Sequence, residues 1–330
     1  MEKADTTVEV QIKPPAFRRF LGRLQDSSLL LLPQLKHTYA AVTRLPSSFR
    51  QPLRRPTPPP ATFPTPAEIR EHGKLVQGDD DDNRRVWRIE WQGVNMYVKE
   101  GKDIDRGEVH LTELAREQTG LPIPKVYHVE QHGDSTFVYL EALPGRNCAA
   151  AIFHLSVPQR QRLGQEIARA LKRLHRVKAP AGSRVGGLNS RPLSALFAER
   201  NVAPSLHSAA EFHAYLSQLY LSPNPDRAEE FDREIGSHFD DSAPLVLVHD
   251  DLHAANILVE GGKLSGIIDF GRAGWYPEWV ERWTPELQMC TSANEAEFRL
   301  LEAMGLATEE GEEWRWASKA RRGWTGRIES

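Results

Sequence analysis

Between Arg84 and Trp91 the chain alternates. Val86, Arg88 and Glu90 fall on one side of an extended segment, and Trp87, Ile89 and Trp91 on the other, the period of a half-buried strand. Gln92-Gly93 reads as a turn, and "VNMYVK" returns as a second strand. In "RGEVHLTELAREQTG" the period lengthens to that of a helix, with Gly120 as its C-terminal stop. The proline-punctuated "LPIPKVYHVE" follows, then a strand, "STFVYLEALPG", that ends in a turn. Together these make a small sheet with one helix. Beyond them the pattern is mostly helical: in "VPQRQRLGQEIARALKRLHRV", Leu163, Ile167, Leu171 and Leu174 form one apolar stripe. The exception is Leu245 to Gly271, "LVLVHDDLHAANILVEGGKLSGIIDFG". There a short buried strand enters a polar loop, and a hairpin turns about Gly261-Gly262.

Residues 1–50 carry helix-like patches without clear caps, and Pro52 to Pro66, "PLRRPTPPPATFPTP", is proline-dense and reads as an extended linker. Folded structure is predicted to start at "TPAEIREHG", where Thr65, proline at the first helical position and Glu68 mark a helix N-terminus. The predicted division is an N-terminal extension with its linker over 1–65, a sheet lobe over 66–143 and a larger helical lobe over 144–330.

Composition narrows the function classes. With 40% apolar and 26% charged residues the chain is an ordinary globular one, and a net charge of −3 gives no electrostatic case for nucleic acid or membrane as a partner. Cys148 and Cys290 stand apart, outside any CxxC pattern, which argues against a disulfide scaffold or a structural zinc site and suits a reducing compartment. No apolar run approaches the roughly 20 residues of a membrane span; Leu29 to Leu32 stops at Pro33. The start, Met-Glu-Lys-Ala-Asp, is mixed in charge rather than basic, and Glu2, Asp5 and Glu9 oppose the presequence that Arg18, Arg19 and Arg23 suggest. The expected location is the cytoplasm.

The polar loop HDDLH admits two readings. In a zinc-protease signature both histidines share one helix face and a glutamate acts as base. Here a β-branched run enters the motif directly, Asp250 replaces the glutamate, and no third ligand follows. Counting instead from Asp251 gives His249 two before it, Asn256 five after it, and Asp269 past the hairpin in "IIDFG". An acid, an amide and a second acid in that context suit phosphoryl transfer. One carboxylate orients and deprotonates a hydroxyl, while the amide oxygen and the other carboxylate hold magnesium against nucleotide phosphates. Asp251 is then the catalytic candidate, with Asn256 and Asp269 as metal ligands.

With these residues in place, the chain resembles the aminoglycoside phosphotransferase and choline kinase-like family, relatives of the protein kinases, and looks closest to its fungal members. The resemblance covers roughly Pro66 to Trp283. It rests on "HDDLHAAN" and on "IIDFGRAGWYPEW", which is similar to the family's hairpin. It implies an α+β fold of two lobes, a small antiparallel sheet lobe and a larger, mostly helical one, with ATP in the cleft. It further implies that Lys99 in "MYVKEG" holds the nucleotide phosphates, that Glu108 pairs with Lys99, and that the backbone of Leu140, Glu141 and Ala142 meets the adenine.

Two departures accompany the resemblance. Asp250 stands where the family has glycine, a residue free to take unusual backbone angles; aspartate tolerates them better than most. Its carboxylate also adds negative charge beside Asp251. No glycine-rich phosphate loop precedes the first strand, where "QGDDDDNRR" reads as a solvated acidic turn. His249 reads as a structural residue of the loop, and Trp279 with Trp283 as packing rather than a substrate cage.

The expected function is ATP- and Mg2+-dependent phosphorylation of a hydroxyl on a small-molecule acceptor. One rival is a protein kinase, which needs a long activation segment after the metal aspartate; "GWYPEW" arrives too soon for one. The other is a degenerate homologue that binds nucleotide or a partner without transferring phosphate. The acceptor pocket is expected around Leu188 to Leu219 and the C-terminal segment.

Overall fold

The computed structural model describes residues 57–78, 84–188, 205–222, 225–234, 236–281 and 295–304, all within the compact unit Pro52–Ser330. The acidic turn Asp79 to Asp82, the patches of residues 1–50, Trp283 and much of the region expected to form the acceptor pocket lie outside them.

Helix α1 (Pro66–His72) starts as its sequence dictates. Thr65 accepts from the Glu68 N–H, and the Glu68 carboxylate accepts from the Thr65 N–H at 2.8 Å, a reciprocal capping box with proline at the first turn. Strands β1 (Lys74–Gln77), β2 (Arg84–Trp91), β3 (Val94–Gly101), β4 (Val126–His132) and β5 (Ser135–Glu141) form an antiparallel sheet in the order β1-β2-β3-β5-β4. The turn between β2 and β3 puts Gln92 at φ 52 and Gly93 at φ 74, the twist that matches a tight hairpin. Short strand β1 was not legible as a strand. Its pairing with β2 is irregular, and Lys74 and Gln77 are exposed.

Alternation gives this sheet two different faces. Trp87, Ile89, Met96, Val98, Phe137 and Tyr139 pack on one side with Ile69 of α1. Lys99 and Val138, directly opposite each other, point to the other side, as does Val86. Helix α2 (Arg106–Thr119) lies there, capped by Asp105 and ended by Gly120 in the left-handed conformation at φ 61.

The larger lobe begins with β6 (Arg146–Asn147) and the one-turn helix α3 (Cys148–Ala151). Helix α4 (Val157–Leu174) turns Leu163, Ile167, Ala170 and Leu174 into a core shared with Ile257, Ile267, Phe270 and Trp275. Gly164 has no side chain because the backbone of Ala303, in the helix Glu295–Met304, occupies that place: a Cβ there would meet the Ala303 carbonyl oxygen at 1.8 Å. Helices α5 (Ala209–Leu221) and α6 (Ala228–Glu234) build a second cluster, in which Trp279 stacks on Phe212 and Phe239 as packing. Strand β7 (Leu245–Val248) feeds the polar loop, and β8 (Ile257–Glu260) and β9 (Lys263–Ile267) form the expected hairpin beside β6. Strand β10 (Gly274–Pro277) pairs antiparallel with β7, and α7 (Glu295–Met304) packs on α4.

Candidate active site

The strand β3, the helix α2 and the hairpin β8–β9 bring three charged residues to one point. Lys99 Nζ lies 2.6 Å from Glu108 Oε1 and 2.6 Å from Asp269 Oδ1. Glu108 sits in the first turn of α2, where the helix dipole favours an acid. Arg84 adds a second cation, with Nη1 3.7 Å from Glu108 Oε2. Burial opposes the charge of Lys99, but Glu108 and then Asp269 outweigh it, and its pKa stands above the ordinary value. For Asp269 burial acts upward, and the charge and hydrogen bond of Lys99 reverse it, holding the carboxyl at about 2.

The loop after β7 is not helical, which removes the zinc-protease geometry. Both ring nitrogens of His249 are occupied by backbone: Nδ1 accepts from the Asp251 N–H at 3.3 Å, so Nε2 carries the proton donated to the Ile268 carbonyl at 2.9 Å. His253 caps the 3-10 turn Ala254–Asn256, its Nδ1 accepting from the Ala255 N–H at 3.3 Å, and burial lowers its pKa. Among the described residues no group of three or more His, Cys, Asp or Glu is poised to hold a metal by itself.

Asp250 is fully buried and adopts φ 56. That is the left-handed conformation anticipated for this position, reached here by an aspartate. Its N–H and that of His249 both end on the carboxylate of Glu281, at 3.3 Å and 2.8 Å. Glu281, only 3% exposed, is in turn 3.4 Å from His175 Nε2. Burial drives the Glu281 pKa up, but His175, and then the charge and backbone N–H of His249, win and it is lowered. Sequence reasoning missed this residue. It stands two positions past the "GWYPEW" motif, and nothing in its neighbours marks it as the cap of a loop some 30 residues earlier.

Asp251 faces Arg272, whose Nη1 is 3.2 Å from Asp251 Oδ1. Burial raises the Asp251 pKa, and the charges of Arg272, His249 and His253 only partly oppose it. Asn256 donates its side-chain N–H to the Asp251 carbonyl at 2.9 Å, which directs the amide oxygen the other way. The Ile268 N–H donates to the Asn256 carbonyl at 3.0 Å, so the loop and the Asp269 turn are stitched together. Asp269 itself sits at φ 67 ahead of the 3-10 turn Phe270–Arg272. Gly271 leaves room at this crowded point: a Cβ there would lie 3.1 Å from Glu108 Oε2 and 3.2 Å from Asp269 Oδ1.

At the other wall of the cleft, Leu140 and Glu141 end β5 and Ala142 follows. The Glu141 N–H is engaged by the Lys125 carbonyl at 2.9 Å. Lys99, Glu108, Asp251, Asn256 and Asp269 are thus brought into one connected set, while Leu140 to Ala142 form the strand exit between the lobes. Asn256 Oδ1 and the ionised Asp269 are hard oxygen donors. They suit magnesium, which is held through one or two protein oxygens and substrate phosphates rather than a full protein cage.

Two lobes, with a lysine–glutamate pair in the sheet lobe and an aspartate–asparagine–aspartate loop in the helical one, define a protein-kinase-like fold. Residues 75–284 match the phosphotransferase enzyme family, and the chain belongs to it. Among curated relatives, an aminoglycoside 3'-phosphotransferase of Niallia circulans is 29% identical over 164 residues, 47% of this chain and 53% of that protein. The match therefore spans about half of that relative. An aminoglycoside 3'-phosphotransferase of Enterococcus faecalis is 23% identical over 60% of this chain and 72% of its own. Among solved structures, a thermostable mutant of aminoglycoside phosphotransferase APH(4)-Ia in its apo form superposes with a TM-score of 0.50 at 13% identity, covering 76% of this chain and 84% of that one. The same mutant line in ternary complex with AMP-PNP and hygromycin B gives 0.50 at 15% identity over the same shares. At these identities the structures speak to the fold. Among the described residues no helix is long and apolar enough to cross a membrane.

Proposed function

We propose that this protein transfers the γ-phosphoryl group of ATP to a hydroxyl of a small molecule. The observation that carries the reading is the convergence of Lys99 on Glu108 and Asp269, each at 2.6 Å, beside a loop that presents Asp251. Lys99, held by Glu108, takes the nucleotide phosphates. The Glu141 carbonyl and the backbone of Leu140 and Ala142 take the adenine. Asn256 and Asp269 hold magnesium, which when bound neutralises charge on the phosphates. Asp251 orients the acceptor hydroxyl and accepts its proton as the oxygen attacks, and Arg272 stands where it balances the charge of that carboxylate. The lobes fall at 66–143 and 144–330 in this reading, and the closeness of the chain to fungal members of the family belongs to it too.

A small-molecule acceptor is favoured over a peptide because β10 begins at Gly274, five residues past Asp269, and is paired along its length with β7. That leaves no span for a peptide-docking segment. The relatives named for aminoglycosides make hydroxylated amines the first compounds to try.

The test is a calorimetric titration of the chain with ATP, in magnesium and then in EDTA, beside Asp269→Ala. Magnesium-dependent binding that the substitution abolishes supports the reading, and a screen of hydroxylated amines for ADP release follows. Absence of binding at millimolar ATP would overturn it in favour of a degenerate homologue that binds a partner.

A further inference from the structure

The stretch Thr57 to Thr65, which its proline content marks as a linker, lies along the outer face of the sheet lobe. Phe63 stacks on His128 with ring centroids 4.7 Å apart and meets Tyr139 at 5.1 Å. Tyr139 donates to the Pro64 carbonyl at 2.8 Å. The Ala61 N–H donates to Gln92 Oε1 at 2.9 Å, and Gln92 Nε2 donates to Thr62 Oγ1 at 2.7 Å. At the far end, Tyr127 donates to the Thr57 carbonyl at 2.9 Å, and the Thr57 N–H donates to Glu141 Oε1 at 3.1 Å.

That last bond reaches the segment between the lobes from behind. Glu141 pairs with Met96 across the sheet, so its side chain emerges on the outer face. Glu141 is 3% exposed, and its carboxylate gathers three elements: Thr57 of the strap, the Lys125 N–H at 3.3 Å, and Arg116 of α2, with Nη1 3.6 Å away. The sequence makes the strap's donor conspicuous. In "PTPPP", Pro56 to Pro60, Thr57 alone has a backbone N–H, and that N–H is the one directed at Glu141. The flanking prolines restrict the unbound segment to extended conformations, so little entropy is lost when it docks.

We infer that Thr57 and the Glu141 carboxylate are positioning residues for the adenine-binding segment, and that the strap sets nucleotide affinity without touching the nucleotide. The inference rests on the reading of Leu140 to Ala142 as that segment. A loose Glu141 side chain lets the strand exit shift, and hydrogen bonds to a planar base tolerate little misplacement.

The test measures binding of ATP with magnesium, and of adenosine alone, to the full chain by calorimetry. Thr57→Pro deletes the donor and leaves the carbonyl for Tyr127; Thr57→Val keeps the donor and deletes only the hydroxyl. Thr57→Pro should raise both dissociation constants by the same factor, roughly three- to tenfold, the range for one lost hydrogen bond. Thr57→Val should match the wild type. Asp269→Ala should weaken ATP alone and spare adenosine. Should Thr57→Pro fold poorly, Tyr127→Phe loosens the same end of the strap and should shift both ligands in parallel. Unchanged affinities in a folded Thr57→Pro or Tyr127→Phe variant would overturn the inference while leaving the nucleotide site intact. A wild type that binds neither ligand would overturn both.

Discussion

The guanidinium of Arg272 stands 3.2 Å from the carboxylate of Asp251 and is 41% exposed at the cleft. Arg272 reaches that position because Asp269, three residues earlier, takes the left-handed conformation and starts a tight turn. In the proposed function, one turn therefore serves both the nucleotide side and the acceptor side of the cleft.

A pH profile reads this contact. Burial raises the Asp251 pKa and Arg272 is the largest charge opposing it, so its loss should raise the value further. The base must be ionised to accept a proton, and the acid limb of kcat/KM should move to higher pH in Arg272→Ala. A limb that stays put in the variant means that Asp251 is not the group titrating. Asp251→Ala should lower kcat by about 10²- to 10⁴-fold with ATP binding retained.

Lys99→Met should weaken ATP binding and also destabilise the fold, because it strands two carboxylates. The cost is set at about 2 kcal/mol, below the roughly 3–5 kcal/mol for breaking a fully buried pair, since the Asp269 side chain is 35% exposed. Acid unfolding offers a sharper check. Asp269 sits at about 2, below its ordinary 3.8. A depressed carboxyl contributes stability that is complete above the ordinary value and is lost as the pH falls from roughly 4 towards 2. Lys99→Met should flatten the stability curve across that window, as followed by denaturant midpoints.

At Asp250 the backbone angle rather than the charge sets the expectation. With φ 56, any side chain with a Cβ carries strain that glycine does not. Asp250→Gly should therefore be more stable than Asp250→Ala by about 1 kcal/mol. Equal urea midpoints for the two variants would show that backbone strain does not govern this position.

Glu281→Gln tests the cap of the loop. The amide offers one acceptor where the carboxylate offers two, and the His249 and Asp250 N–H groups are buried. Losing a charged acceptor for a buried donor costs about 1.5–3 kcal/mol. The catalytic effect should fall on kcat, because the loop carries Asp251, with little change in the affinity for ATP. A variant whose affinity falls and whose kcat holds would place Glu281 outside the catalytic loop's support.

Much of the fold was legible from periodicity. The strands around Trp87 and Val98, the helix ending at Gly120 and the hairpin at Gly261-Gly262 all carry their period and their turn residues within a few positions. Asp251, Asn256 and Asp269 were singled out by their spacing across the loop and hairpin, and Lys99 and Glu108 by the resemblance; the structure links all five. Arg272 and Glu281 were not legible, since each acts on a partner 21 to 32 positions distant through a fold that brings them together. The strap was read as a linker because proline content reports an extended backbone and is silent on what that backbone lies against. Strand β10 escaped because "GWYP" has no alternation: all four residues are buried.

The pairing of β7 with β10 closes the chain on itself. Val248 lies opposite Gly274 and Leu245 opposite Pro277, so the loop, the hairpin and the Asp269 turn hang as one lasso from a four-pair clasp. Lys178 bridges to Val246 and Gly186 to Trp275, fastening the clasp from either side. A lasso of this kind opens as a unit or not at all. Amide protons near Asn256 and near Ile268 should exchange with solvent at a common rate, and a cut or insertion anywhere between Asp250 and Ala273 should slacken both ends of the cleft together.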